Sequence, residues 1–397
     1  MINPYKVTTA MCTNGERLPL LTSTVTGLPI RLVNDWLLLS RRIRNQASTL
    51  EREARTIGYL HWWADLNKIN LEERFESGYV LTSNEINPSL YDWLRRDFSH
   101  GKVIKMAVAS STFRSRLETV RDYILWNMDQ TLSIIAHNNS NFEYVATKRD
   151  LLIRQFNKDM PSVRINTRIG LEIQLREKLL QIIHPEYIGN PWDQSVRHRN
   201  YLICLIYLML GLRRSEALKL YLSDLNLNGT RTTITVQRKP DDINDPRKNE
   251  PRVKTLGRII PITPELARMI NIYIMEYRIH IPNAKKSPFL FLSSKTGNPL
   301  SLLAVNNVFY QMIKHYPEFE RVLSPHILRH TYNDLLSNIA DNNNVSEHDA
   351  MEIRNYLCGW SRFSQQGDNY RQRHIQQKAT ALSLLHQQNL FKDWDLK

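Results

Sequence analysis

The longest apolar run of the chain, Tyr201 to Leu212 (YLICLIYLMLGL), stops abruptly at Asn200 on one side and Arg213 on the other. It is far shorter than the roughly 20 residues a membrane-spanning helix needs, so it reads as a helix buried on all sides in a protein core. Such a helix has to be wrapped by other elements. A chain of 397 residues with 42% hydrophobic content has room for two or three domains and a core able to do so.

The residues that end the run are unusual. Gly211-Leu212-Arg213-Arg214-Ser215-Glu216 places Glu216 one helical turn from Arg213, where a carboxylate can orient a guanidinium by a charge-assisted hydrogen bond. Taken alone, an Arg-x-x-Glu pair is an ordinary surface ion pair. Arg214 reads either as a contact to a polyanion backbone or as the solvated end of its helix. A second constellation stands at His326-Ile327-Leu328-Arg329-His330-Thr331. Ser324-Pro325 before it reads as an N-cap and a first-turn proline. His326 and Arg329 then share one face at the start of a helix, where free N–H groups and the helix dipole favour an anion. Gly359-Trp360 and Tyr370 come after it. The series proposes a phosphate clamp with a tyrosine nucleophile.

The formal charge of +14 points the same way, toward a polyanionic partner, although charge does not separate DNA from RNA or anionic lipid. The first twenty residues carry no basic cluster leading into an apolar core, so no secretory signal is read there. Cys12, Cys204 and Cys358 are odd in number and widely spaced, which fits a reducing cytoplasm better than a disulfide framework or a zinc knuckle.

Along the chain, residues 1–40 show no clear period and predict an irregular arm packed on the helical region after it. Ser48-x-x-Glu51 is a capping-box signature, and Leu50, Ala54, Ile57, Leu60 and Ala64 predict an amphipathic helix. A second helix, beginning near Ser111, carries Phe113, Leu117, Val120, Ile124 and Leu125 on one side and Arg114 and Arg116 near its start. Thr82 to Phe98 is a further helical candidate, and no strand is expected in residues 40–156. Residues 157–170, with Lys158, Arg164 and Arg168, read as a basic linker suited to a phosphate backbone. Helices are expected over Leu171–Ile183 and Arg199–Leu220, then a hairpin of Arg231–Arg238 with Val253–Pro261, then helices to the end. The polar connection of that hairpin holds Asp241, Asp242 and Asp245, which predict a solvated loop rather than a metal site. Trp62 and Trp63 are expected in a core with His61 at the surface. Leu382, Leu385, Leu390, Phe391 and Trp394 give the tail more apolar surface than an isolated end should expose.

The ordered series Arg213, Lys254, His326-x-x-Arg329, Trp360 and Tyr370 resembles the catalytic domain of the tyrosine recombinase (phage-integrase) family, over about residues 171–385. The helical region of residues 41–156 resembles that family's core-DNA-binding domain. The resemblance implies a mainly α fold with a small antiparallel sheet, its two domains forming a clamp on DNA, with residues 171–397 as the catalytic domain. It implies that Tyr370 attacks the scissile phosphate to give a 3′-phosphotyrosyl link and a free 5′-hydroxyl, with no nucleotide cofactor and no metal. Arg213 and Arg329 would bind the non-bridging oxygens, His326 would accept a proton, and Lys254 would protonate the leaving oxygen. Lys239 and Lys248, in the same connection, read as solvated. Trp360 stands where relatives have His or Trp; its indole donates a hydrogen bond but shuttles no proton. Tyr370 lies one position further from Trp360 than in many relatives, with Tyr332 and Tyr356 as fallback nucleophiles.

The implied activity is site-specific recombination for a mobile element, by sequential strand exchanges in a tetramer on duplex DNA. Protomers would be joined by exchange of the C-terminal tail, with accessory DNA-bending proteins as possible partners. The expected location is cytoplasmic, at the nucleoid, with no membrane. Two rivals stay open: a type IB topoisomerase-like nicking and rejoining enzyme, and a non-catalytic DNA-binding relative.

Overall fold

The computed structural model describes residues 2–98, 104–136, 140–163, 170–360 and 369–392; the side chains of residues 104–106, 140, 347 and 369–378 lie outside that description. The chain divides into two compact units, residues 1–166 and 167–397, each with its own apolar core.

The first unit opens with an antiparallel hairpin, β1 (Tyr5–Met11) and β2 (Arg17–Ser23), paired from Tyr5 against Ser23 to Met11 against Arg17. The expected irregular arm is therefore a regular hairpin. Its pattern is hidden because the buried face of β2 carries Arg17 and Pro19 as well as Leu21, so no apolar alternation shows. After α1 (Arg31–Asp35), α2 (Ala47–Leu66) buries the whole predicted stripe of Leu50, Ala54, Ile57, Leu60 and Ala64. The helix begins before Ser48, with Gln46 at its N-cap and no side-chain cap, so the capping-box reading is corrected.

Next come α3 (Leu71–Glu76), α4 (Tyr91–Leu94), β3 (Arg96–Asp97), β4 (Ile104–Ala107), α5 (Ser110–Ile134) and α6 (Ser140–Lys158). The β3–β4 pair is a strand element the sequence did not signal, since each strand is too short to display a period. Trp62 and Trp63 are core residues as expected. His61 is not at the surface. It is half-buried, its ring edge-on to Tyr5 at 5.7 Å, and burial pushes its pKa down to about 4.

The second unit is built around α8 (Arg197–Leu210), buried at every residue from Asn200 to Leu210, as the apolar run requires. Around it lie α7 (Ile173–Ile183), α9 (Arg214–Leu218), α10 (Pro264–Ile272), α11 (Leu302–His315), α12 (Pro325–Asn342), α13 (Glu347–Cys358) and α14 (Asn369–Lys392). One antiparallel sheet, ordered β5 (Leu225–Asn226), β6 (Thr233–Val236) and β7 (Arg258–Pro261), contains the predicted hairpin.

The tail and the hairpin connection are both packed into this unit. The apolar tail folds back on its own chain. Leu382 and Leu390 are buried, Gln387 Nε2 donates to the Pro261 carbonyl at 2.9 Å, and the Thr263 N–H donates to Gln387 Oε1 at 2.8 Å. Leu385 and Phe391 pack against the same unit, while Trp394 lies outside the described residues. The β6–β7 connection is not simply solvated either, because Asp242 and Asp245 ion-pair with the buried Lys219 ammonium. Among the described residues, no helix is long and apolar enough to cross a membrane.

Candidate active site

The site begins where α8 ends. Gly211 caps that helix in the left-handed conformation (φ +60), and a Cβ there would collide with the Tyr332 ring, so glycine is required on both counts. The turn lets the next residues reverse into α9, with Arg213 as its N-cap.

Glu216 is almost wholly buried. It accepts the Arg213 backbone N–H at 2.7 Å, but its nearest approach to the Arg213 guanidinium is 3.8 Å. The expected Glu216–Arg213 side-chain hydrogen bond is thus replaced by a different partner. Arg258, 5% exposed, gives Nη1 and Nη2 to the two carboxylate oxygens at 3.0 and 3.1 Å, and the Thr255 hydroxyl donates to Oε1. Burial works to raise the Glu216 pKa, but Arg258, Thr255 and the Arg213 N–H outweigh it and hold the carboxyl below its usual range.

Arg258 was missed as a site residue although a signal existed. Along β7, Arg258 shares a face with the buried Ile260, while Ile259 points outward. A strand that turns an arginine to the core demands a carboxylate there.

Arg329 reaches the same place from α12. Ser324 caps that helix, accepting the Ile327 N–H at 3.2 Å, with Pro325 at its first position as predicted. Arg329, 3% exposed, donates through Nη2 to the Cys358 carbonyl at 3.0 Å and through Nη1 to the Gly211 carbonyl. Arg213 Nη1 donates to the same Cys358 carbonyl at 3.2 Å. Two guanidiniums thus meet at one carbonyl, the last of α13. Burial, and after it the charge of Arg329, lower the Arg213 pKa. Arg213, Arg258 and Arg329 face the one carboxylate of Glu216, so these four groups carry an excess of two positive charges. The Arg213 side chain is about one-third exposed, which leaves this excess open to solvent.

Gly359 repeats the device of Gly211: its φ is +63, and a Cβ would lie 2.6 Å from Arg258 Nη1. Trp360 is next, 37% exposed, with the Arg329 guanidinium 5.5 Å from its ring centre. The Lys254 segment is tied to the same floor. Thr255 binds Glu216, and the Leu256 N–H donates to the Gly359 carbonyl at 3.1 Å, while Lys254 itself is exposed. His326 is exposed on the first turn of α12, its Nε2 3.3 Å from Nε2 of His330, so one of the two imidazoles donates to the other.

Tyr370 lies in the first turn of α14, and its side chain is outside the described residues. The fallback tyrosines serve structure: Tyr332 is fully buried, its pKa pushed up by burial, and the Tyr356 hydroxyl donates to the Ile259 carbonyl at 3.2 Å. The buried Cys358 thiol is likewise pushed up, by burial first.

The residues expected on the DNA backbone, outside the catalytic series, divide. Arg114 is exposed and paired with Glu118 at 2.9 Å, and Lys158 is exposed in the last turn of α6. Arg116 is used internally: Nη1 donates to the Leu94 and Arg96 carbonyls, both at 2.7 Å, and its guanidinium lies over the rings of Tyr59 and Phe98. Arg164 and Arg168 lie outside the described residues.

The sequence profile of the Phage integrase family matches residues 175–364, which contain Arg213, Lys254, His326, Arg329 and Trp360. Among solved structures, the Tn1549 transposon integrase in complex with transposon right end DNA is 16% identical, covering 88% of this chain and 98% of that one, at a TM-score of 0.49. The XerH site-specific recombinase bound to difH substrate is also 16% identical, covering 81% and 96%, at a TM-score of 0.39. The integrase from mycobacterium phage Brujita is 14% identical, covering 87% and 96%, at a TM-score of 0.30.

Proposed function

Because this chain carries a phage integrase, or tyrosine recombinase, domain over residues 175–364, we propose that it is the site-specific integrase of a mobile element and acts through a 3′-phosphotyrosyl intermediate on Tyr370. The observation that carries this reading is the meeting of Arg213 and Arg329 at the Cys358 carbonyl, with positive charge in excess and Trp360 beside it. Such a site calls for an anion whose charge grows in the transition state, as on the phosphorane of an in-line phosphoryl transfer.

Arg213 and Arg329 then hold the non-bridging oxygens, and the Trp360 indole N–H donates to the same phosphate. As the bond from the Tyr370 oxygen to phosphorus forms, its proton passes to His326. As the bond to the 5′-oxygen breaks, Lys254 protonates the leaving group. Rejoining reverses each step. Glu216 and Arg258 touch no substrate and fix the floor on which Arg213, Arg329 and the Lys254 segment rest. The exposed Arg114 and Lys158 of the first unit extend the contact along the DNA backbone, and the protein acts as a tetramer on the duplex.

The test is covalent capture. The full chain selects its duplex from a randomised DNA pool, and a nicked version of that duplex traps the intermediate. Wild type is expected to give a protein–DNA adduct that survives denaturing electrophoresis, and Tyr370→Phe none. Adduct from both would remove Tyr370 from the reaction; salt-sensitive binding with adduct from neither would leave a non-catalytic DNA-binding protein.

A further inference from the structure

The connection from β6 to β7 is long and polar, the kind of loop that is usually mobile, yet it is tied down by buried charge. Lys219, at the C-terminal end of α9, is almost fully buried, and its ammonium lies 2.6 Å from Glu250, 3.2 Å from Asp242 and 3.4 Å from Asp245. Asp245 in turn holds Arg247 at 2.7 Å, and Arg247 donates to the carbonyls of Leu300 at 2.6 Å and Leu218 at 3.2 Å. The Tyr221 hydroxyl donates to Asp242 at 2.5 Å. An ammonium held by three carboxylates out of water is costly unless each partner is in place, so the loop conformation is coupled to Lys219.

Lys254 stands between two of these anchors. Glu250, four residues before it, is fixed by Lys219, and Thr255, one residue after it, is fixed by Glu216. Glu216 and Lys219 are one turn apart on α9, whose N-cap is Arg213. A chain advances at most ~3.6 Å per residue, so the few residues between two such anchors leave Lys254 little room to wander. One short helix therefore sets where the first arginine and the lysine stand relative to each other.

From this geometry we infer that Lys219 is a positioning residue for the reaction, holding the Lys254 ammonium where the leaving 5′-oxygen departs. The inference rests on the reading of Lys254 as general acid given above. It distinguishes the Lys219 cluster from a simple fold staple, because a positioning role acts only on the step that needs a proton.

Two duplexes separate these roles: the selected site with its ordinary 5′-oxygen at the cleaved position, and the same site with a bridging 5′-sulfur there. A thiolate leaves without a proton, whereas the alkoxide must take one from Nζ of Lys254 as its bond to phosphorus breaks. On the oxygen duplex, Lys254→Ala in the full chain is expected to slow cleavage about 10²-fold or more, and Lys219→Met about tenfold or more. On the sulfur duplex both variants are expected to return to within about threefold of wild type, since no general acid is needed there. Glu250→Gln keeps the shape and removes the charge closest to Lys219. It should shift in the same direction by a smaller factor, and it serves if Lys219→Met fails to fold.

If Lys254→Ala recovers on sulfur while Lys219→Met and Glu250→Gln stay equally slow on both duplexes, or are slow on neither, the positioning role is wrong and the reading of Lys254 survives. If Lys254→Ala itself does not recover, Lys254 is not the acid, and the inference falls with that reading.

Discussion

The two units bury different things. In the first, the core is a cluster of rings: Trp62 edge-on to Trp93 at 5.0 Å, Trp36 edge-on to Tyr123 at 5.4 Å, and Tyr59 stacked on Phe98 at 4.1 Å. Its arginines lie over such rings, Arg95 over Phe113 and Arg116 over Tyr59, and its buried carboxylate Glu53 is met by Arg41. In the second unit the apolar core around α8 adjoins a floor of buried ions, with Glu216, Arg258 and Arg329 at one end of α9 and Lys219, Asp245 and Glu250 at the other. Packed rings adapt to small changes of shape, whereas a buried ion has no substitute for its partner. The second unit gives up that tolerance for fixed positions.

The contrast is sharpest for substitutions that keep shape. Glu216→Gln preserves volume but leaves Arg258 buried without its counter-charge, and is expected to cost ~3–5 kcal/mol in urea unfolding. A loss under about 1 kcal/mol would mean that the ion pair is not what holds this floor together.

Both units hold a histidine whose titration couples to folding. His386 is buried against Tyr332, and burial holds its pKa down to about 4 from an ordinary 6.5. The imidazole is neutral in the folded chain. As pH falls below about 6.5 the unfolded chain takes up a proton and the folded chain does not until about 4, so stability is full above that window and falls across it. The loss due to His386 alone is ~3 kcal/mol once the window is crossed. His61, with the same direction and cause, adds a smaller loss in the first unit because it is only half-buried. Unfolding curves across this range should flatten in His386→Gln; an unchanged slope would remove His386 as the cause.

Leu60→Met, a volume-conserving change in the ring-rich core, is expected to cost less than ~1.5 kcal/mol, and a cost matching Glu216→Gln would erase the contrast between units. Smallest is Arg114→Ala, which breaks an exposed pair worth ~0.3–0.5 kcal/mol. If Arg114 touches a phosphate, the salt slope of DNA binding should also fall by about 1; an unchanged slope would place Arg114 off the DNA.

The same contrast explains what the sequence made legible. An unbroken apolar run exposed α8, local periodicity exposed the stripe of α2, and an N-cap with a proline after it exposed the start of α12, because each is written in consecutive residues. The order of Arg213, Lys254, His326, Arg329 and Trp360 was readable as a motif. Their partners were not. Glu216 meets Arg258, 42 residues on, and Arg329 meets a carbonyl 29 residues on, and no local pattern encodes such pairings. Lys219 sits among Ala217, Leu218 and Leu220 and gives no sign that three carboxylates will surround it. The packing of the tail was hidden for the same reason, since its leucines look unpartnered until β7 and α12 are brought beneath them.

The proposed strand cleavage requires Arg213 and Arg329 to share one DNA phosphate. The most direct test is a structure of the full-length Tyr370→Phe chain bound to its selected duplex, read for the groups around the scissile phosphorus. Both guanidiniums are expected within hydrogen-bonding distance, about 2.7–3.1 Å, of non-bridging oxygens on that single phosphate. Guanidiniums bound to different phosphates, or still turned to the Cys358 carbonyl with the DNA elsewhere, would contradict it.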